Sequence, residues 1–125
     1  MMLSDDFYKI EKMDQTDSHI SAIINLNHEH RVYQGHFPGV PVVPGVCQVQ
    51  IVKEVLCFCL NNSYLLSESR ICKFINMMNP MDVSHLKCEI SWSVSSQDDI
   101  SFSGELSDEN LTYLKIKGTL IKENG

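Results

Sequence analysis

One stretch of eleven residues, from Gly35 to Gly45, constrains the fold more than any other part of the chain. It reads Gly-His-Phe-Pro-Gly-Val-Pro-Val-Val-Pro-Gly, so that three prolines follow one histidine within eight positions. Each proline fixes its own φ and biases the residue before it toward extended geometry, while the glycines permit tight turns. The segment therefore cannot be a helix and makes a poor strand. We predict a stiff loop that holds His36 at one position.

A strongly apolar stretch of helix length follows this loop directly. Residues Val46 to Leu60 predict an α-helix whose apolar side chains cover nearly its whole circumference. Because a helix that is apolar on all sides has to be buried on all sides, we expect it at the centre of the domain. Val43 and Pro44 precede it, so no Ser, Thr, Asp or Asn caps its first N–H groups. These groups are therefore free to bind a ligand oxygen, assisted by the helix dipole.

The remaining segments show the apolar pattern of β-strands. Phe7 to Met13 and Ile20 to Leu26 predict two strands before the loop, and Ile71 to Met78 predicts one after the helix. Three runs between residues 90 and 120 alternate apolar with polar residues and are separated by short polar turns. Such runs form an antiparallel sheet with one buried face. The sequence therefore predicts a single α+β domain over residues 1–125, with a sheet curled around one central helix.

Charge and composition exclude several classes of protein. The net charge of −6 argues against a nucleic-acid-binding protein, which needs a basic face. The N-terminus lacks the pattern of a signal peptide, and the apolar run from Ile51 to Leu60 is too short to span a bilayer. The five cysteines form no Cys-x-x-Cys pair, so we expect reduced thiols in a cytoplasmic protein. His28 and His30 lack the spacing of a metal site, and we expect neither metal nor cofactor.

The string from Gly35 to Gly45 resembles the 3-hydroxyacyl-[acyl-carrier-protein] dehydratases of the FabA/FabZ type. Eight specified positions in the eleven match that family's motif. Lys73 to Asn76, followed by Pro80, is similar to a later strand of the same family and the turn that ends it. The resemblance implies the α+β hotdog fold, in which a long antiparallel sheet wraps around a central helix. It also implies a dimer or higher oligomer with the active site at the subunit interface.

The same resemblance implies a chemistry, namely syn elimination of water from a 3-hydroxyacyl thioester carried on acyl carrier protein. The pathway would be fatty-acid biosynthesis or a related lipid or polyene biosynthesis. His36 would be the base that takes the α-proton, for which an imidazole is suited because its pKa lies near neutrality. The carbonyl of Val42 matches the group that orients this ring, and the N–H of Gly45 matches the donor that polarises the thioester carbonyl. We expect Phe37 either to pack against the core or to line the acyl pocket.

The helix departs from the family's pattern at its second catalytic position. The family has a Glu or Asp fourteen positions after the histidine, where this chain has Gln50, and often a Gln one turn later, where it has Glu54. An amide can hydrogen-bond a hydroxyl but has no proton to give to a leaving water. Three interpretations are open. Glu54 takes over as the acid, or the chain is a weakened subunit that pairs with a competent one, or Glu54 is an ordinary solvated or ion-paired helix residue.

Three functions follow from these features. A 3-hydroxyacyl-thioester dehydratase accounts for the loop. A non-catalytic hotdog partner in a dehydratase heterodimer accounts for Gln50. A hotdog acyl-thioesterase would need a carboxylate such as Glu54, but the loop favours the dehydratases. The expected partners are acyl carrier protein and a second hotdog chain, identical or related. Arg70, Lys73 and Lys87 are the cations that could form a basic patch for the carrier's phosphopantetheine arm.

Overall fold

The computed structural model describes residues 3–33, 41–83 and 85–123. Within these ranges the elements are β1 (Tyr8–Gln15), β2 (His19–Leu26), a 3₁₀ turn (Arg31–Tyr33), α1 (Gly45–Leu60), β3 (Tyr64–Phe74), β4 (Leu86–Val94), β5 (Ile100–Ser107) and β6 (Thr112–Lys122). The strands form one antiparallel sheet in the order β1-β2-β4-β5-β6-β3. β1 and β3 are therefore its two edges, and α1 packs against β2, β3, β4 and β5. The predicted α+β hotdog fold is confirmed.

The core lies between α1 and the inner face of the sheet. Alternate residues of four strands are buried there, as the period of two requires: Ile20, Ala22, Ile24, Leu86, Cys88, Ile90, Ile100, Phe102, Leu106, Leu114, Ile116 and Leu120. Gly104 on β5 brings the helix close to the sheet, because a Cβ at this position would lie 2.8 Å from Cγ1 of Val52. The helix is thus held at a fixed depth above the middle of the sheet.

The helix has the predicted extent but not the predicted burial. It begins at Gly45, one residue before the expected start, and Asn61 ends it with a left-handed backbone at φ 52°. The expectation that all of its sides are buried is wrong for the single chain. Val46 is 69% exposed and Phe58 is 44% exposed, because the one sheet leaves these two positions uncovered.

The strand that follows the helix lies earlier than predicted. We expected Ile71 to Met78, whereas β3 begins at Tyr64 and ends at Phe74. Its pairing with β6 shifts register twice, between Leu66 and Glu68 and again between Ser69 and Ile71. Such bulges break the alternation by which a strand is recognised. As an edge strand, β3 also has few buried side chains to mark it.

Two further expectations concern the cysteines and membrane spans. All five cysteines are free thiols, of which Cys47 and Cys88 are buried and Cys72 is exposed. In the part of the chain that the structure describes, no helix combines the length and the apolar character that crossing a membrane requires.

Candidate functional site

Two of the predicted site residues, His36 and Phe37, lie outside the described residues, in the segment 34–40. The end of the predicted loop is described and is anchored. The N–H of Val43 donates to the carbonyl of Met78 at 2.8 Å, and the Val43 side chain is buried. The chain that leaves the loop is therefore fixed against the segment that follows β3.

The start of α1 has free backbone donors. Pro44 occupies the N-cap position with φ −59° and ψ 144°, and no side chain caps the helix. Its carbonyl accepts the N–H groups of Cys47 at 3.0 Å and Gln48 at 3.1 Å. Among the described residues no acceptor meets the N–H of Gly45 or Val46. Two N–H groups at the positive end of the helix dipole are thus available to an anionic or carbonyl oxygen.

An open cleft of about 470 Å³ lies beside these donors and is lined by Val42, Gly45, Gln48, Phe74, Met77 and others. We call it the helix-start cleft. The Phe74 ring packs directly on Gly45, since a Cβ on that glycine would lie 2.8 Å from Cζ of the ring. The structure therefore brings Val42 and Gly45 together, as expected, in a cleft with apolar walls.

Gln48 is a polar residue of this cleft that the sequence analysis missed. It is only 3% exposed, and its Nε2 donates to the carbonyl of Val43 at 3.2 Å. Its Oε1 is buried and has no hydrogen-bond partner among the described residues. An unpaired buried acceptor costs about 1–3 kcal/mol. The signal that could have revealed it is a glutamine inside a run of otherwise apolar helix residues.

Glu54 is 3% exposed, and its carboxylate is surrounded by donors. The N–H of Leu3 lies 2.9 Å from Oε2, and the N–H of Ser4 lies 3.0 Å from Oε1. The hydroxyl of Tyr8 donates to Oε1 at 3.0 Å. Burial, followed by the charge of Glu54 and this hydrogen bond, raises the pKa of Tyr8 far above its usual value, so that the hydroxyl stays a donor.

Gln50 completes the set of donors around this carboxylate. Its Nε2 lies 2.7 Å from Oε2 of Glu54, one helical turn away. Glu54 therefore ties the N-terminal segment to the helix and holds one end of the Gln50 amide. The structure brings Gln50 and Glu54 together on one helix face, as the four-residue spacing predicted.

A second open cleft, of about 600 Å³, is lined by Gln50, Glu54, Phe58, Tyr64 and Leu65 among others. We call it the helix-end cleft. Because Gln50 follows Gly45 by five positions, the two residues point about 140° apart around the helix axis. The structure therefore does not bring the four predicted site residues that it describes into one place. Val42 and Gly45 line the helix-start cleft, and Gln50 and Glu54 line the helix-end cleft.

Comparison with known proteins assigns the family. The model of the ApeI-like family, described as ApeI dehydratase, matches residues 12–114. The chain belongs to the ApeI-like dehydratases. Among curated proteins it is similar to the 3-hydroxyacyl-[acyl-carrier-protein] dehydratases FabZ of Rickettsia conorii and Rickettsia rickettsii. It is 26% identical to each, in an alignment that covers 87% of this chain and 83% of each relative.

Solved structures share the hotdog fold of this ApeI-like chain. One is the dehydratase heterocomplex ApeI:P from Xenorhabdus doucetiae, with a TM-score of 0.71 and 22% identity over 90% of this chain and 96% of that one. Another is a hypothetical thioesterase with coenzyme A from Streptococcus pneumoniae, with a TM-score of 0.64 and 12% identity over 94% and 86% of the two chains. At these identities both show the fold alone.

The other histidines of the ApeI-like chain do not form a metal centre within the described residues, where no group of three or more ligating side chains occurs. His30 is held by Asp6, with 2.9 Å between Nε2 and Oδ2, and packs edge-on against the Phe7 ring at 5.1 Å. His28 is half exposed and lies 3.9 Å from a Glu29 oxygen. His30 is therefore held by its neighbours in the fold, and His28 lies at the surface.

Proposed function

We propose that this chain eliminates water from a 3-hydroxyacyl thioester carried on acyl carrier protein, in fatty-acid or related lipid biosynthesis. The observation that carries the proposal is the uncapped start of α1, where the N–H of Gly45 opens into the helix-start cleft, nine positions after His36 in the sequence. Membership of the ApeI-like dehydratases supports the same chemistry. The protein would work in the cytoplasm without a cofactor.

The first step is removal of the α-proton. The thioester carbonyl accepts the N–H of Gly45, and the electron pair of the broken C–H bond moves toward the carbonyl oxygen. The oxygen gains negative charge beside the positive end of α1, which stabilises it more than the ground-state carbonyl. His36 takes the proton and becomes an imidazolium, oriented by the carbonyl of Val42, while Phe37 contacts the acyl chain.

The second step breaks the bond between the β-carbon and the hydroxyl oxygen and forms the double bond. In a syn elimination the α-proton and the hydroxyl leave from the same face of the substrate. The imidazolium of His36 can therefore return its proton to the departing hydroxide, which leaves as water. Gln50 hydrogen-bonds the hydroxyl, and Glu54 acts as a positioning residue that holds the Gln50 amide. One imidazole thus balances the reaction, although more slowly than with a separate acid.

A second chain completes the site in this proposal. Gly45 and Gln50 line clefts on different sides of the helix, so one substrate meets both groups only where two chains join. β3 is an edge strand with exposed apolar residues, Leu65 and Ile71 among them, and Val46 and Phe58 of α1 are uncovered. An unpaired apolar edge is a template for pairing with another strand. We therefore infer at least a dimer.

The replacement of the helix acid by Gln50 favours one alternative, a non-catalytic partner that joins a related dehydratase. Such a subunit would contribute the Gly45 donor and the fold, and the competent chain would contribute the acid. A thioesterase has less support, because Glu54 is engaged with backbone and side-chain donors rather than with open solvent.

The test is hydration and dehydration of octenoyl and 3-hydroxyoctanoyl thioesters by the purified chain, alone and with a related hotdog dehydratase. We expect turnover by the wild type alone, reduced by at least about 100-fold in His36→Ala. The matched control is His28→Ala, which removes an exposed loop histidine and should change nothing. Turnover by His36→Ala near the wild-type rate would overturn the assignment. Activity only in the mixture would establish the partner-subunit alternative.

A further inference from the structure

The outer face of the sheet, which turns away from α1, carries a group of cations beside the β3 edge. Lys115 and Lys117 alternate along β6, and Lys73 on β3 stands directly across from Lys115. Arg70 joins them, and its Nη2 donates to Oγ of Ser101 on β5 at 3.0 Å. We call Arg70, Lys73, Lys115 and Lys117 the outer basic patch.

These cations are available to a partner. The three lysines are exposed and line a groove of about 480 Å³ together with Ser91 and Ser103. None of the four cations forms an ion pair with a carboxylate of the described residues. Within the described residues, the patch therefore has no carboxylate at ion-pair distance.

Two acids line the same groove, and both have other partners. Glu89 lies 2.6 Å from Nε2 of His19 and 3.1 Å from Nζ of Lys87. Glu105 stands across from Lys115 and accepts the hydroxyl of Thr112 at 3.2 Å, a bond to a neutral donor that leaves its negative charge in place. The groove is thus close to neutral on its β4 side, where Glu89 is paired, and its three lysines outnumber the one remaining acid, Glu105.

This placement is unusual for a chain with this charge balance. The chain has ten lysines and arginines and a net charge of −6, yet four of the ten lie in one patch. Like charges that stand opposite each other on neighbouring strands destabilise a sheet, and Lys73 and Lys115 are such a pair. Glu105, across from Lys115 on its other side, offsets part of this repulsion, but the cations still outnumber the acids. This excess favours a partner that carries negative charge.

The patch also lies close to the proposed reaction site. Lys73 is followed by Phe74, whose ring packs on Gly45. Because successive side chains of a strand point to opposite faces, Lys73 emerges on the outer face at the level where Phe74 covers the helix-start cleft. β3 ends at this point, so a flexible arm can pass around the end of the strand from one face to the other.

We propose that the outer basic patch docks an acidic carrier protein, which delivers its thioester around the end of β3 into the helix-start cleft. This inference rests on the proposed function. Of the cations that the sequence suggested for the carrier, Arg70 and Lys73 belong to the patch, whereas Lys87 bonds to Glu89. Lys115 and Lys117, which the sequence analysis did not select, take its place.

The test compares two double charge reversals in the full chain. Lys115→Glu with Lys117→Glu alters the patch, and Lys9→Glu with Lys12→Glu makes the same change on β1 at the opposite edge of the sheet. Each variant is assayed with 3-hydroxyoctanoyl acyl carrier protein and with the same acyl group on N-acetylcysteamine. We expect the patch variant to raise KM for the carrier substrate by at least about tenfold and to turn over the small thioester within about twofold of wild type. The β1 variant should leave both unchanged.

Carrier binding is measured separately by biolayer interferometry on immobilised acyl carrier protein, at low and high NaCl. Wild-type binding should weaken with salt, because exposed charges are screened. If the glutamates unfold the sheet, Lys115→Gln with Lys117→Gln removes the two positive charges without adding negative ones. We expect this variant to bind the carrier about threefold more weakly than wild type. No binding by wild type, or equal effects of the patch and β1 variants, would overturn the docking proposal. Loss of carrier binding in a chain that turns over neither thioester would uphold docking and overturn the proposed function.

Discussion

The amide of Gln50 points its NH₂ group at the carboxylate of Glu54, with 2.7 Å between Nε2 and Oε2. Glu54 also accepts the backbone N–H groups of Leu3 and Ser4, which can only donate. A carboxylate in this position is an acceptor throughout, and this fixes which end of the Gln50 amide faces it. The oxygen of that amide is therefore turned away from Glu54. One carboxylate thus anchors the N-terminal segment and orients the residue that replaces the family's acid.

Glu54→Gln should destabilise the fold. An amide offers one acceptor oxygen where the carboxylate offers two, and its own NH₂ group would meet the N–H groups of Leu3 and Ser4. Because the site is buried, the unpaired donors cannot turn to water. We expect the free energy of unfolding to fall by about 2–4 kcal/mol, measured by urea denaturation.

The matched control is Glu109→Gln, which removes an exposed carboxylate in the turn between β5 and β6. Its unfolding free energy should stay within about 0.5 kcal/mol of wild type. Amide hydrogen exchange offers a second measurement, since the N–H groups of Leu3 and Ser4 should exchange faster in Glu54→Gln alone. If Glu54→Gln had the same urea midpoint as wild type, the anchor would contribute nothing to stability.

The sequence predicted most of the fold because its signals are local. The alternation around Trp92, Phe102 and Ile116 belongs to strands with one buried face, and the structure has them as β4, β5 and β6. The helix followed from its apolar run. β3 was misplaced because its two bulges and its edge position remove the alternation that periodicity depends on.

The site was less readable, since its contacts join distant parts of the chain. The spacing of Gln50 and Glu54 predicted one shared helix face. It could not predict that Leu3, some fifty positions earlier, donates to Glu54. Nor could it reveal that Gln48 leaves a buried oxygen unpaired among the described residues. The roles of His36 and Phe37 stay predictions, because both lie outside the described residues.

Gly118→Ala should weaken the pairing of β3 with β6. A Cβ at this position would lie 2.3 Å from the carbonyl oxygen of Glu68, an atom of the β3 backbone. A side chain could rotate away, but a backbone carbonyl moves only if the strand moves. We expect a loss of about 1–3 kcal/mol in thermal or urea unfolding.

Gly45→Ala is the control for this prediction. The atoms that its Cβ would approach belong to the half-exposed ring of Phe74, which can shift toward solvent. Alanine is also favoured over glycine in a helix by about 1 kcal/mol. The variant should be at least as stable as wild type, and equal losses in the two variants would contradict the backbone explanation.

Stability should depend on pH through Glu89. Burial opposes its ionisation, but hydrogen bonds from Lys87, His19 and Ser21 outweigh burial and lower the pKa of this carboxyl. A pKa that is lower in the folded state gives stability that is fully present above the unfolded value, about 4.3. That stability is lost as the pH falls through the folded value. The urea midpoint of wild type should therefore drop more steeply below about pH 5 than that of Glu89→Gln. Identical slopes would exclude Glu89 as the cause.

Gln50→Glu should increase turnover. The new carboxyl group would lie beside Oε2 of Glu54, where the Gln50 amide now lies at 2.7 Å. Two carboxylates this close cannot both ionise, so they share one proton, and the pair acquires a raised pKa. That proton replaces the amide N–H as the donor to Glu54 and keeps the anchor intact. It is also an acid that can protonate the leaving hydroxide, a step that only His36 performs in the wild type.

General acid catalysis contributes about 10²–10⁴-fold, and we expect a gain of this size in dehydration of a 3-hydroxyoctanoyl thioester by Gln50→Glu. The gain should vanish at high pH, when the shared proton is lost. Combining Gln50→Glu with Glu54→Gln, which gives the family's own order of acid and amide, should keep the gain but lose stability as Glu54→Gln alone does. An unchanged rate in a Gln50→Glu protein that melts like wild type would show that the proton comes from elsewhere, and a second chain would then be its source.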